Sequence, residues 1–434
     1  MTGNETAPNP SSELSHSRGS RLSRRRLFGL TSAGVALAGA GVAVGTAARS
    51  PSGSPSGDAA TSAVAFHGEH QTGIITPAQD RVHFVALDVV TTDRTQVVDL
   101  LKTWTRAAER MTAGAEMTGI GALGGNPDAP PEDNGEALGL PPSQLTLTLG
   151  LGGSLFDGRF GLADRKPAAL ADLPHFQADM LDPARCGGDL CIQACANDPQ
   201  VAVHAIRHLV RLGIGATAVR WSQLGFGRTS STSTSQATPR NLFGFKDGTN
   251  NIKAEDSEAL RQFVWVPQGE EPGWLAGGSY LVVRRISMRI ERWDRTSLNE
   301  QEATIGRVKG SGAPLGKQGE FDVADFTLPG GDKGGPLIGD DAHIRLASAQ
   351  ANGEIRFLRR GYNFVDGTNG NGHLDAGLFF LAYMRDPQRQ YVPVQRVLSR
   401  SDRMREYIDH TGSALFAIPP GVRPGGFWAD TLFT

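Results

Sequence analysis

An internal repeat constrains the fold of this chain more than any other feature of its sequence. The segment Leu190–Ala194 leads into Asp198–Gln200 and then into a stretch with helical spacing. The segment Leu378–Ala382 leads in the same way into Asp386–Gln388, and every matched pair is 188 positions apart. Self-similarity at a fixed offset is typical of duplicated structural units. Each copy therefore predicts a buried strand, a turn fixed by Asp-Pro, and a helix.

The rest of the chain fits two α+β units in tandem. Residues 82–90 and 145–151 have strand patterns, and residues 94–111 between them have helical spacing. The segment Tyr280–Ile290 parallels the first strand in the second copy. The simplest architecture is two antiparallel sheets, each with helices packed on one face.

Composition excludes several classes of protein. The 434 residues include 43 Lys plus Arg and 45 Asp plus Glu, for a formal charge of −2. Because a nucleic-acid-binding protein would carry a basic stripe, we expect no nucleic-acid partner. Three cysteines are too few for a disulfide framework. A Cys186–Cys191 disulfide and a pair of free buried thiols are both compatible with the spacing.

The N-terminus has the order of an export signal. Arg24 and Arg25 precede a weakly apolar run over residues 27–48 that ends in the small residues Thr46–Ala48. Paired arginines indicate export by the twin-arginine translocase. A retained membrane anchor is the alternative, and the Gly and Ala content of the run disfavours it.

We therefore expect a signal peptide over residues 1–48 and a flexible linker over residues 49–78, which are rich in Ser, Gly, Ala and Thr. The mature protein is expected in the cell envelope or outside the cell.

Three short segments carry residue types suited to acid–base or redox chemistry. Asp247 lies between two glycines in the segment Gly244–Gly248, and an ordinary turn is the alternative. His343 lies among apolar residues, where a core histidine is the alternative. Arg359 and Arg360 are adjacent between apolar residues, and a buried guanidinium requires an anion.

His204 and His208 are spaced i, i+4 on a predicted helix, which is a spacing that can bind a metal. No third ligand is apparent from the sequence. A histidine pair in the core or on the surface of a helix is therefore the favoured interpretation.

These segments together resemble the dye-decolorizing haem peroxidases, and in particular the exported branch that includes deferrochelatase/peroxidases. The resemblance covers residues 79–434 and follows the order of the family's motifs. Those motifs are Gly244–Thr249, Ile305–Arg307, His343–Ala347, Leu358–Tyr362 and His410–Phe416. It implies two tandem ferredoxin-like units, an N-terminal domain over residues 79–238 and a C-terminal domain over residues 239–434 that binds one haem b.

The resemblance also implies how haem is held. His343 matches the axial ligand of the haem iron, and its other ring nitrogen requires a carboxylate partner. Glu406 is the candidate for that partner, with Asp402 as the alternative. Arg307 matches a residue that binds a haem propionate.

Distal roles follow from the same resemblance. Asp247 matches the acid that moves the proton of bound peroxide, and Arg359 matches the arginine that stabilises the developing charge. Other residues are expected to line the haem edge or the distal cavity. They are Gly248, Thr249, Asn250, Leu378 and Phe380.

The implied activity is reduction of hydrogen peroxide with oxidation of bulky organic donors such as dyes or phenols. Tyr391 and Trp221 are candidates for relaying electrons from such donors. Iron release from haem, as in a deferrochelatase, and haem carriage without catalysis are the alternatives. A homo-oligomer is compatible with the sequence.

Overall fold

The computed structural model describes residues 62–270, 272–331 and 334–434. The predicted signal peptide and the first part of the predicted linker lie outside these residues. Among the helices of the described residues, none is both long enough and apolar enough to span a bilayer.

The first half of the described chain forms a ferredoxin-like unit of four strands and two helices. In chain order these are β1 (Arg81–Val89), α1 (Arg94–Thr112), β2 (Thr146–Gly152), β3 (Leu190–Ala196), α2 (Pro199–Leu212) and β4 (Thr217–Arg228). The strands are antiparallel in the spatial order β2-β3-β1-β4. This is the split βαβ arrangement, in which each helix connects two strands that are consecutive in the chain but not adjacent in the sheet.

The second half repeats this arrangement with additional short helices. The elements are α3 (Ser257–Phe263), β5 (Ser279–Met288), α4 (Ile290–Asp294), α5 (Leu298–Ile305), α6 (His343–Leu346), β6 (Leu358–Arg359), β7 (Tyr362–Thr368), β8 (Leu374–Met384), α7 (Tyr391–Ser401), β9 (Ile408–Ile418) and α8 (Asp430–Phe433). The order β9-β5-β8-β7 reproduces that of the first unit. The two-unit prediction is therefore confirmed, and β3 and β8 are the matched strands of the sequence repeat.

The edges of the two sheets pair with each other and close the strands into a ring. Strand β2 pairs with β9 at Leu151 and Ala417, and β4 pairs with β7 at Phe226 and Asn363. Side chains alternate between the inside of the ring and the outside, where the helices pack. Phe84 lies in the inner cluster, whereas Val85 lies in the outer one.

The Asp-Pro turns of the repeat explain how the following helices start. The Asp198 side chain accepts a hydrogen bond of 2.7 Å from the backbone N of Gln200, and Pro199 occupies the first helical position of α2. Asp386 accepts an equivalent bond of 2.9 Å from Gln388 before α7.

The predicted linker is wrong for residues 62–78, which pack against the ring. Gln71 is buried and donates hydrogen bonds of 3.0 Å to the carbonyls of Leu149 and Pro419. Ile74 belongs to the apolar cluster inside the ring. Small polar residues indicated a linker, but backbone and amide hydrogen bonds hold this segment in place.

This segment also corrects the expectation that both adjacent arginines require an anion. Arg360 is fully buried, and its guanidinium donates to the carbonyl of Thr76 and to Gln79 Oε1. Carbonyl and amide oxygens therefore satisfy Arg360, and Arg359, on the other face of the strand, is the arginine that binds an acid.

The three cysteines are all free. Cys191 and Cys195 are buried on β3, whereas Cys186 is half-buried in the loop before it. Of the two alternatives left by the sequence, the structure has the free thiols and no Cys186–Cys191 bond.

Candidate active site

The His343 imidazole is held at the start of α6 by a buried carboxylate. Its Nδ1 atom lies 2.6 Å from Oδ2 of Asp402, whose side chain is only 5% exposed. The other oxygen of Asp402 accepts a bond of 2.8 Å from the backbone N of Met404 and so caps the following turn. Because both oxygens are engaged, the carboxylate fixes the orientation of the ring.

A second set of contacts joins the segment that contains Asp402 to the segment that contains His343. The backbone N of Arg403 donates to the carbonyl of Asp341 at 3.1 Å, and Arg403 Nε donates to the Asp341 side chain at 2.9 Å. Residues adjacent to Asp402 and near His343 are therefore joined by backbone and side chain alike.

Glu406 is not the partner of His343, which corrects the first choice made from the sequence. Its carboxylate is largely exposed and accepts a bond of 2.6 Å from Arg292 Nη2. The 3₁₀ turn Arg403–Glu406 places Asp402 at its buried start and Glu406 at its exposed end. A sequence alignment by spacing could not separate these two ends.

The charges around His343 favour a hydrogen-bonded ring with one open nitrogen. Burial lowers the pKa of His343, but the Asp402 carboxylate outweighs this effect, and the pKa lies above its ordinary value. The Nε2 atom makes no hydrogen bond with any described residue, and the side chain is 32% exposed. No described residue therefore competes with a ligand for this nitrogen.

Asp247 and Arg359 form an ion pair at the same site. Arg359 Nη1 donates to Asp247 Oδ1 at 3.0 Å, and Asn241 Nδ2 donates to Oδ2 at 3.1 Å. Both charges act on His343, since the Asp247 carboxylate raises the pKa of the imidazole and the Arg359 guanidinium lowers it. The structure thus brings together an imidazole, a carboxylate and a guanidinium from three separate segments.

Asn251 positions Arg359 and was not identified from the sequence. Its side chain accepts from the backbone N of Arg359 and donates to the carbonyl of the same residue, each at 2.8 Å. Asn250, the residue predicted to line the haem edge, is exposed instead. Both asparagines follow the same Gly248-Thr249 pair, so no signal in the sequence distinguishes them.

Gly248 is required by the backbone at this turn. Its φ is +81°, and an added Cβ would lie 2.9 Å from the Cα of Ser230. Any other residue would push the Asp247 segment away from its neighbour. The neighbouring Thr249 donates a bond of 3.2 Å to Glu320 Oε1.

Arg307 is a buried cation without a carboxylate partner among the described residues. Its side chain is 6% exposed, and Nη1 donates to the carbonyls of Gly312 and Glu320 at 2.6 and 3.0 Å. Burial lowers the pKa of Arg307, the Glu320 charge opposes this, and the nearby Arg359 adds to the lowering. An anion bound beside Arg307 would compensate its charge.

Leu378 and Phe380 share a face of the sheet with Arg359. Arg359 lies opposite Ala382 in the pairing of β6 with β8, and residues two and four positions along β8 point the same way. Leu378 packs with Ile344, next to His343, in one apolar cluster. These side chains form an apolar wall beside the charged groups.

The two candidate relay residues lie on opposite sides of β8. The ring of Tyr391 is buried, and its centroid is 6.2 Å from that of Phe380. The ring of Trp221 packs on Phe84 and Phe379, which fill the inside of the strand ring. Tyr391 is therefore the candidate that contacts the wall of the site.

Two family models match this chain over most of its length. The N-terminal model, described as Dyp-type peroxidase, N-terminal, matches residues 71–227. The model described as Dyp-type peroxidase, C-terminal, matches residues 238–423 and so includes all the site residues above. The chain belongs to the DyP-type peroxidase family. It is a haem peroxidase of the deferrochelatase-like branch.

Individual relatives agree with this assignment. Curated deferrochelatases from Escherichia coli K12 and Yersinia pseudotuberculosis are 40% and 39% identical, and the matches cover 92% of this chain and 94% and 92% of the relatives. A DyP-type peroxidase structure from Streptomyces coelicolor is 38% identical with a TM-score of 0.80, over 88% of this chain and all of that one. One from Cellulomonas bogoriensis is 40% identical with a TM-score of 0.76, over 86% and 99%.

The residues of this DyP-type peroxidase fit the haem that the family implies. The open Nε2 atom of His343 is suited to an axial iron ligand, and its Asp402 partner is the arrangement typical of such histidines. The unpaired cation of Arg307 is suited to a propionate. Leu378 and Phe380 supply the apolar contact that a porphyrin face requires.

Proposed function

We propose that the chain binds one haem b, reduces hydrogen peroxide and oxidises bulky organic donors such as dyes or phenols. The observation that carries this proposal is the Asp247–Arg359 ion pair, whose charges both act on the His343 imidazole. Haem carriage requires an iron ligand and an apolar pocket, but it requires neither a distal carboxylate nor a distal guanidinium.

When bound, the haem would supply the iron at which peroxide is reduced and would hold the two oxidising equivalents that come from peroxide. Asp247 would take a proton from one peroxide oxygen and return it to the oxygen that leaves as water. Arg359 donates hydrogen bonds to that leaving oxygen as negative charge develops on it. Two one-electron oxidations of donor then complete the reduction of peroxide to two molecules of water.

The two carboxylate oxygens of Asp247 have different neighbours, and these neighbours determine which oxygen receives the proton. Arg359 binds Oδ1, and the Asn241 amide binds Oδ2. Because an amide is a weaker competitor for a lone pair than a guanidinium, Oδ2 is the better atom to receive the proton.

The test is rapid mixing of the haem-loaded protein with one equivalent of peroxide. We expect a Soret band that changes within milliseconds in the wild type and about 10² to 10⁴ times more slowly in Asp247→Asn. Equal haem content in both proteins is the control. A Soret band that peroxide leaves unchanged would contradict the proposal and favour haem carriage.

Iron release from haem is the second candidate function, and it is favoured by the deferrochelatase names of the relatives at 40% identity. The two functions differ in product. Release would leave free protoporphyrin, which fluoresces, in a reaction supplied with haem, a one-electron reductant and a ferrous chelator, with two protons from solvent replacing the iron. Accumulation of protoporphyrin without peroxide consumption would establish this second function instead.

We also propose export by the twin-arginine translocase, with the mature protein in the cell envelope or outside the cell. The support is the order of Arg24 and Arg25 before an apolar run and small residues. Arg24→Lys with Arg25→Lys should retain the precursor inside the cell. Normal secretion of that double variant would contradict the route.

A further inference from the structure

Two buried histidines and one buried aspartate lie together in the N-terminal unit, away from any residue of the peroxidase chemistry. His204 and His208 face the loop that precedes β2 from one side of helix α2, and Asp133 is in that loop. Potential ligand atoms of the three lie within 4.8 Å of one another, and all three side chains are buried. Among the described residues, this cluster of potential metal ligands has no part in the proposed peroxidase reaction.

The hydrogen bonds determine which ring nitrogens carry protons. The backbone N–H of Asn134 can only donate, so the Nε2 atom of His208, 3.3 Å away, is an unprotonated acceptor. The Nδ1 atom of His204 faces two acceptors, Asn134 Oδ1 at 3.3 Å and Glu136 Oε2 at 3.6 Å. That nitrogen therefore carries the proton, and Nε2 of His204 has a lone pair.

Both Nε2 atoms lie near the same carboxylate. His204 Nε2 lies 3.6 Å from Asp133 Oδ2, and His208 Nε2 lies 3.4 Å from Asp133 Oδ1. Backbone N–H groups of Met117 and Gly135 hold the carboxylate in place at 2.8 and 2.9 Å. Two unprotonated ring nitrogens and a carboxylate thus converge; the Asn134 N–H reaches His208 Nε2 only at 3.3 Å, and a cation between the three groups would satisfy them all.

We propose that Asp133, His204 and His208 bind a divalent transition-metal ion, with zinc as the best match to two imidazoles and one carboxylate. Ligands at about 2.0–2.1 Å in tetrahedral geometry lie about 3.3 Å apart. The two N···O distances of 3.4 and 3.6 Å are close to that value. Water completes the coordination.

Glu136 supports the proposed ligand His204. Its Oε2 atom is buried and has no hydrogen-bond partner among the described residues, and it faces the protonated Nδ1 of His204. A carboxylate on the far nitrogen of a ligating histidine fixes its tautomer and strengthens the metal–ligand bond. The ion would join the loop of Asp133 to α2 and stabilise a segment without helices or strands.

The experiment uses the haem-loaded protein, dialysed against a chelator and then against zinc chloride. Elemental analysis should find one zinc per chain, a signal independent of the haem iron. The double variant His204→Gln, His208→Gln should lose zinc affinity by more than about 100-fold, since loss of even an outer partner of a ligand costs 10–100-fold. The control is His373→Gln, which removes an exposed histidine 3.7 Å from Glu291 and should keep the zinc.

Two results would overturn the proposal. One is a wild-type protein that retains no zinc, and the other is a folded double variant that retains as much as the wild type. If the double variant does not fold, anomalous diffraction of zinc-soaked wild-type crystals at the zinc edge decides the matter. A peak between the two Nε2 atoms supports the site, and its absence there overturns it.

Discussion

The Nδ1 atom of His343 lies 2.6 Å from Oδ2 of Asp402, and this hydrogen bond joins two segments that are 59 positions apart in the chain. The same carboxylate caps the turn that follows it, so its position does not depend on the histidine. The ring is therefore oriented by a group that is itself fixed, which leaves Nε2 directed at the site.

Replacement of Asp402 by Asn should raise the reduction potential of the bound haem. Asparagine can still cap Met404, but it has no negative charge to increase the electron density on His343. We expect the reaction with peroxide to slow about 10- to 100-fold. Spectroelectrochemistry and rapid mixing measure the two effects. Glu406→Gln is the matched control, and a larger effect there than in Asp402→Asn would contradict the assignment.

Replacement of Asn251 by Ala should impair the site without removing any group that contacts peroxide. The change breaks both bonds to the Arg359 backbone and leaves buried polar groups without partners. We expect a loss of about 1–3 kcal/mol in the free energy of unfolding. The rate with peroxide should fall as well, and Asn251→Asp should recover part of it. An unchanged rate in a destabilised Ala variant would show a purely structural role.

Replacement of Tyr391 by Phe should slow oxidation of bulky dyes and leave the peroxide step unchanged. Burial raises the pKa of Tyr391 to about 12, with opposing contributions from Arg284 and Asp179, so its phenol stays protonated across the working range. Steady-state dye oxidation and rapid mixing separate the two steps. Trp221→Phe is the comparison, and a slower dye reaction in that variant alone would transfer the role to Trp221.

All three cysteines should titrate as thiols. The denatured protein should give three thiols per chain, because none is paired in the structure. In the native protein only the half-buried Cys186 should react, and slowly, since burial raises the pKa of its thiol. A count of one thiol after denaturation would instead establish a disulfide.

The free energy of unfolding should decrease as the pH falls from 6.5 to about 4, in part through His83. Burial lowers the pKa of this side chain to about 4, below its ordinary value of 6.5. The unfolded chain therefore binds a proton that the native protein excludes, and the free energy of unfolding falls as the pH falls. His83→Gln should reduce this slope by up to about 1.4 kcal/mol per pH unit. Denaturant titrations at several pH values measure it, and a slope that His83→Gln leaves unchanged would contradict this role of His83.

The sequence alone determined the duplicated α+β architecture. The repeated strand and Asp-Pro turn require only local chemistry, because an aspartate that caps a helix start and a proline in its first turn act through neighbouring residues. The motifs around Asp247, His343 and Arg359 likewise identified the family, because each motif consists of residues that are adjacent in the sequence.

Only the tertiary structure decided which acid binds His343, that Asn251 holds Arg359, and that Asp133 meets His204 and His208. These pairs are brought together by the closing of two sheets into one ring and by the course of long loops. The spacing of these residues along the chain does not determine the distances between them in space. The same reason explains the error at residues 62–78, where a segment of small polar residues is held by partners such as Leu149 and Pro419 that lie far away in the chain.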